Sequence, residues 1–264
     1  LKGADGKETT LPGFAGALSG RNAYSQNFLC FVYDINGDEW DDVLVLGFPG
    51  AESPWYENPK GKPGHWKKHI ALAITDNESP HFTDITGDGK PEIVCNSEGH
   101  FIYAEPNWHH PDQLWTVHRV TPKGSWQRFT HGMGVGDVNG DGYDDILVGA
   151  YRADPGGDYR AGETYVVFGS GDGFAPSLDL SALDGSNGFR LDGIDEYDGS
   201  GYSVSTAGDV NGDGYADILV GAYQADPGGD SSAGETYVVF GSGSGFAASL
   251  NLSTLDGSNG FRLD

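Results

Sequence analysis

Basic side chains are scarce: 15 Lys and Arg stand against 39 Asp and Glu, giving a formal net charge of −24. So acidic a chain is repelled by nucleic-acid phosphates and by anionic membrane surfaces, which argues against both as partners. Long apolar runs are missing as well, and none approaches the ~20 residues that a membrane-spanning helix needs. No stretch holds the period of a long amphipathic helix. Cysteine is down to two residues, Cys30 and Cys95, both in apolar, strand-like runs. One bridge between them is open to the chain, but buried thiols fit that setting better. Nucleophile elbow, P-loop, dinucleotide fingerprint and zinc motif are all absent. With no initiator Met and no signal peptide, the sequence reads as a mature or excised piece.

What is plentiful is glycine, at 43 residues, together with 6 Trp, 13 Tyr and 13 Phe. That mixture suits many short strands joined by tight turns. At 264 residues the chain can hold one large domain or two small ones. The charge is uneven: residues 1–135 carry 11 basic and 17 acidic side chains, and residues 136–264 carry 4 and 22.

The organising stretch is Gly136-Asp-Val-Asn-Gly-Asp-Gly-Tyr-Asp-Asp145. Counted from Asp137, oxygen side chains fall at positions 1, 3, 5 and 9, as Asp137, Asn139, Asp141 and Asp145. Gly142 at position 6 reaches backbone conformations closed to other residues. Tyr143 at position 7 offers its main-chain carbonyl. Alternate oxygens on a tight loop satisfy a hard cation, and an all-protein cage favours Ca²⁺ over Mg²⁺, which keeps several waters.

The stretch recurs three times. Asp209, Asn211, Asp213, Tyr215 and Asp217 form one copy. Asp34, Asn36, Asp38, Trp40 and Asp42 form another, and Asp84, Thr86, Asp88, Lys90 and Glu92 the last. A lone copy could be an Asx-rich turn without an ion; four copies, each with a carboxylate at position 9, point to calcium loops. They are not EF-hands, because position 12 after Asp137 is Val148, where an EF-hand needs a bidentate Glu. Apolar, β-branched residues flank each loop, so each joins two strands. Four bound Ca²⁺ would bring the charge to −24 + 8 = −16.

Strand signals follow each loop in the same order, and the loops start 50, 53 and 72 residues apart (84 − 34, 137 − 84, 209 − 137). A repeat of that size holding four strands predicts an all-β fold: a β-propeller of four four-stranded blades, each with its calcium loop between first and second strands. The expected divisions are an irregular lead-in over 1–26 and blades over approximately 27–76, 77–126, 127–196 and 197–264. Insertions at Arg152–Gly162 and Gly171–Asn187 account for the longest spacing, and no strand is left over.

The pattern resembles FG-GAP repeats, the calcium-loop blades of integrin α-subunits, and the related VCBS-type repeats. Ser203-Val-Ser-Thr-Ala-Gly-Asp-Val-Asn-Gly-Asp-Gly214 and Ile218-Leu-Val-Gly-Ala222 carry the resemblance best. Tyr151 and Tyr223 depart from it, standing where the family has Pro. The first two repeats look like a different branch, while 136–192 and 208–264 are near copies of one another. A duplication explains the copies, and a recombined or engineered chimera explains the change of style.

All eight His fall between residues 65 and 131, alongside Trp55, Trp66, Trp108, Trp115 and Trp126. Aromatic faces with His, Asn and Glu could form a carbohydrate surface. Filling between blades is the favoured role for Trp55, Trp66 and Trp115. Asn107-Trp-His-His-Pro111 divides evenly between exposed loop and filler. The expected function is an extracellular or cell-surface binding or scaffold module for a glycan or protein ligand. The rival is a propeller lyase or hydrolase acting on acidic polysaccharide, with His81, His118, Arg119 and His131 offered as its centre. Small residues (Gly132, Gly134, Gly136, Ser203, Ser205, Gly208) suit a tight four-blade closure. A closed monomer is favoured over a homodimer. Among the loops, occupancy should be highest at Asp137 and Asp209. It should be lowest at the Asp84 loop, with its Thr86 and Glu92, while Glu39 at position 6 strains the first loop.

Overall fold

The computed structural model of the chain describes residues 27–124, 131–172, 174 and 178–264. The lead-in expected over 1–26, and Trp126, lie outside the described residues. Among the described residues every element is a strand or a short 3₁₀ turn. Among the described residues, no helix is long and apolar enough to cross a membrane.

The strands fall into sets of four that meander antiparallel in chain order. The first comprises β1 (Asn27–Tyr33), β2 (Asp42–Gly47), β3 (Ala51–Glu57) and β4 (Lys67–Thr75). The second comprises β5 (His81–Thr83), β6 (Glu92–Ser97), β7 (His100–Glu105) and β8 (Thr116–Arg119). The third is β9 (His131–Gly136), β10 (Asp145–Ala150), β11 (Glu163–Val167) and β12 (Gly188–Asp192). The fourth is β13 (Ser200–Gly208), β14 (Asp217–Ala222), β15 (Glu235–Val239) and, after a short extra strand β16 (Ser249–Asn251), β17 (Gly260–Leu263). The middle strands are apolar on both faces, as in Asp-Ile-Leu-Val-Gly-Ala of β10, because both faces are covered.

Two features were not legible in the pattern. The third and fourth sets join into one nine-stranded sheet, in which β9 pairs parallel with β13 through Ser203–His131 and Val204–Gly132. The glycines of β9 make this approach possible: a Cβ on Gly134 would lie 2.9 Å from the Ser205 Cα. The expectation of no surplus strand also needs correction. β16, in the insertion before β17, pairs parallel with β12 at Arg190–Ser249 and so ties the fourth set back to the third.

The chain divides into two compact units. One holds the first set with Asn107–Leu114; the other holds 76–106 and 115–264. In the first unit the 107–114 segment is mostly exposed, with Trp108 and Pro111 half-buried against the first set. The Trp55 indole N–H donates to the Pro111 carbonyl at 3.1 Å, and Trp108 sits edge-on to Tyr33, ring centroids 5.9 Å apart. Trp55 and Trp115 are buried as expected, but Trp66 is exposed, because the polar stretch around it leaves it nothing to pack on.

In the second unit, cores form between successive sets. Ile85, Val94, Phe101 and Tyr103 of the second set pack with Met133, Val135, Ile146 and Val148 of the third. Val138, Leu147, Phe189 and Leu191 of the third pack with Val204, Ile218, Val220 and Tyr237 of the fourth. Face-to-face burial of this kind is how propeller-type repeats stabilise one another. No disulfide links the cysteines; Cys95 is buried in β6, whereas Cys30 is exposed in β1, against the expectation of two buried thiols.

Candidate metal centre

Each loop lies where expected, between the first and second strands of its set. The side chain at position 1 folds the loop by gathering amides. Asp137 accepts from the N–H groups of Gly140, Asp141 and Gly142 at 2.7, 3.1 and 3.1 Å. Asp209 repeats this with Gly212, Asp213 and Gly214 at 2.7, 3.0 and 2.9 Å. Asp34 takes Asp38 and Glu39, and Asp84 takes Asp88 and Gly89. The carboxylate at position 5 then accepts the N–H of position 7: Trp40, Lys90, Tyr143 and Tyr215 in turn. At position 3, the side-chain oxygens of Asn36, Asn139 and Asn211 accept the N–H of position 5. Thr86 instead points its hydroxyl at Glu92, at 3.4 Å.

The backbone asks for glycine twice in each loop. At position 6, Gly89, Gly142 and Gly214 have φ of +85°, +91° and +94°, and Glu39 is forced to +71°. The strain expected at Glu39 is therefore present. Position 4 is Gly throughout (Gly37, Gly87, Gly140, Gly212), also at positive φ, a requirement the sequence reading passed over.

Position 9 is wholly buried in every loop, as Asp42, Glu92, Asp145 and Asp217. In three of the loops its carboxylate fastens the loop to the chain beyond the third strand. Asp145 accepts from Val138 N–H at 2.8 Å and Gly169 N–H at 2.9 Å, and Asp217 from Val210 and Gly241 likewise. Asp42 holds Ile35 and Asn58 in the same way.

These buried carboxylates face more negative charge. Burial first, then the neighbouring Asp88 and Asp84, push the Glu92 carboxyl up to about 8. Burial, with Asp141 and Asp137 close by, pushes Asp145 up to about 7, and burial also raises Asp42. A divalent cation would replace the lost hydration and cancel the repulsion, so the donor set fits Ca²⁺. The acidic side chains come nearest one another in the loop expected to be filled least. In the loop of Asp84, Asp88 and Glu92, one oxygen from each lies within 4.8 Å of the others, and among the described residues this is the group of three acidic side chains so gathered. Glu92 has one more methylene than the Asp at position 9 elsewhere, and that reach brings it to the centre.

A second cluster lies at the other end of the strands. Tyr151 and Tyr223 follow the ends of β10 and β14; Tyr202 and His131 sit near the starts of β13 and β9. Ring centroids of Tyr202 are 4.4 Å from Tyr223, 5.2 Å from Tyr151 and 5.8 Å from His131. Tyr202, Tyr223 and His131 are exposed, His131 pairs with Glu78, and Arg152 stacks over Tyr151. The sequence signal was the pair of tyrosines standing in place of Pro. Of the residues offered as a lyase centre, His81 bonds the main chain of Met133, two residues from His131. His81 and His118 sit on the two outer strands of the second set, His118 stacked on Tyr103 and bonded to Glu105. Arg119 is exposed beside His118.

The FG-GAP repeat family matches residues 129–167 and 200–239, and the FG-GAP-like repeat family matches 34–95. Human integrin alpha-IIb is 33% identical over 276 residues, covering 86% of this chain and 25% of that protein. Integrin alpha pat-2 of Caenorhabditis elegans is 38% identical over 101 residues, 38% of this chain and 8% of that one. Mouse phosphatidylinositol-glycan-specific phospholipase D is 34% identical over 114 residues, 43% and 13% of the two chains. The chain thus spans a quarter or less of these relatives. Among solved structures, the Tc holotoxin pore of Photorhabdus luminescens is similar over 80% of this chain and 10% of that one, at 14% identity and a TM-score of 0.41.

Proposed function

This chain carries FG-GAP repeats of the integrin α kind, and from that premise we propose that it is a calcium-stabilised extracellular binding module. Its four loops take up to four structural Ca²⁺, through the side chains at positions 1, 3, 5 and 9 and the main chain at position 7. The observation that supports this reading is the convergence of Asp84, Asp88 and Glu92, in which the buried Glu92 carboxyl faces the charge of the other two. Extracellular calcium is abundant enough to fill loops of modest affinity.

The ligand, a glycan or a protein, meets the exposed tyrosines Tyr202 and Tyr223 at the end of the strands away from the loops. Sugar rings stack on aromatic faces, and peptide side chains pack on them equally well. Calcium acts at a distance, by holding the strands that present the tyrosines.

Two measurements on one protein test this. Excess EDTA should lower the melting temperature strongly, since an ion bound only by the folded state stabilises it by mass action. In a screen of glycan and extracellular-protein arrays, Tyr202→Ala should lose the binding that the parent chain shows. An unchanged melting curve sinks the calcium reading, and arrays indifferent to Tyr202 sink the binding face.

A further inference from the structure

Five Asn-Gly pairs occur in the chain: Asn36-Gly37, Asn139-Gly140, Asn187-Gly188, Asn211-Gly212 and Asn259-Gly260. Three of them occupy positions 3 and 4 of a loop. The pair is chemically reactive. With no Cβ on the following residue, its main-chain nitrogen can close on the side-chain carbonyl carbon of the Asn. The new C–N bond makes a cyclic imide, and the side-chain nitrogen leaves as ammonia. Water then opens the ring at one of its two carbonyls. One opening gives Asp; the other gives isoaspartate, with the main chain rerouted through the side chain. No oxidant, reductant or second protein enters the balance. What the step requires is a Gly nitrogen free to lose its proton and to approach the amide.

Four of the five pairs are held against it. Gly140 N–H donates to Asp137 Oδ1 and Gly212 N–H to Asp209 Oδ1, each at 2.7 Å. A carboxylate acceptor anchors the nitrogen and keeps its proton in place. The amides of Asn139 and Asn211 are tied as well, donating to Asp141 and Asp213 at 3.0 and 2.8 Å. Gly188 and Gly260 are buried at the starts of β12 and β17, paired with Val167 and Val239. Asn187 and Asn259 donate to the carbonyls of Ala182 and Thr254, both at 3.3 Å.

The first loop lacks this hold. Asp34 accepts from Asp38 and Glu39 instead, at 2.9 and 2.7 Å, and among the described residues the Gly37 N–H meets no acceptor. Exposure does not separate Gly37 from Gly140 and Gly212, since all three are exposed; the missing bond does. The Asn36 amide reaches Asp38, but Lys60 and the Trp40 N–H share that carboxylate. Glu39, two residues beyond Gly37, is held at φ +71°, which makes this the strained loop of the four.

We propose that Asn36 is a modification site, deamidated by its own main chain ahead of the other four. The product is Asp or isoaspartate at position 3 of the first loop. Asp adds a negative charge beside Asp34, Asp38 and Asp42. Isoaspartate lengthens the main chain and breaks the alternation that lines up the loop oxygens. The first set thus takes on a slow, irreversible mark of age that the third and fourth sets resist. The proposal stands whether or not the loops hold calcium.

Peptide mapping by mass spectrometry tests it on the full chain, incubated at mildly alkaline pH and well below the melting transition. EDTA is present throughout, so bound ions do not enter. In the native chain Asn36 should convert roughly tenfold faster than Asn139 or Asn211, whose Gly nitrogens must first leave a carboxylate. In urea the five rates should converge, because each pair then presents the same unprotected Gly. Asn36→Gln keeps an amide at the position but must close a larger ring, so it should delay the acidic isoform seen by isoelectric focusing. Native conversion at Asn36 no faster than at Asn139 or Asn211 overturns the proposal. So does an acidic isoform that forms equally fast in Asn36→Gln.

Discussion

The ring of Tyr215 packs against Gly140, so close that a Cβ added there would sit 2.2 Å from Cε1 of the ring. The same contact joins Tyr143 to Gly87, one repeat earlier. The second, third and fourth loops are therefore mechanically linked as well as alike.

Gly140→Ala should destabilise the fold more than Gly212→Ala. Both positions have left-handed backbone, at φ +73° and +78°, so the strain of a Cβ is nearly common to the two. Only Gly140 carries a ring, and displacing it should cost roughly 1–3 kcal/mol more, as overpacking does. Urea unfolding of the two variants measures the difference. Equal losses would mean that the ring contact contributes nothing.

Calcium affinity should depend more on Asp88 than on Asp141. Side-chain types alone favoured the loops of Asp137 and Asp209, but the longer Glu92 gathers the acidic oxygens of the Asp84 loop. Calorimetric titration of Asp88→Ala and Asp141→Ala should show the larger loss in the former. The reverse order would restore the ranking based on residue type.

Asp198 should make the protein less stable as pH rises. Its carboxyl is pushed from 3.8 up to about 6, first by burial and then by Asp195, Glu235 and Asp226. Between those values the folded chain keeps a proton that the unfolded chain has released. Stability therefore falls as pH rises through that window, and the loss is complete above it. Asp198→Asn should raise the melting temperature near neutral pH, and the gain should vanish around pH 4. A gain independent of pH would place its cause elsewhere.

Much of the fold was legible because the signals are local. Sixteen strands follow from apolar runs bounded by turn residues, and the loops from oxygen side chains at alternate positions. Even the strain at Glu39 could be read from one residue standing where a positive φ is needed. β16 was not legible: Ser249-Leu-Asn251 is too short to carry a period, and only the neighbouring β12 makes it a strand. Cys30 looked buried because its run is apolar, yet burial depends on what lies opposite.

The sequence by itself determined the repeat, the loop chemistry and the acidity, since each is a property of residue types at fixed spacing. Tertiary structure alone decided which identical residues are core and which are surface. Val138 and Val210 sit in the same local sequence, and one is covered while the other is open. It also decided which loop gathers its carboxylates and which tyrosines meet as a cluster. Burial and convergence are relations between segments far apart in the chain, and no local pattern encodes them.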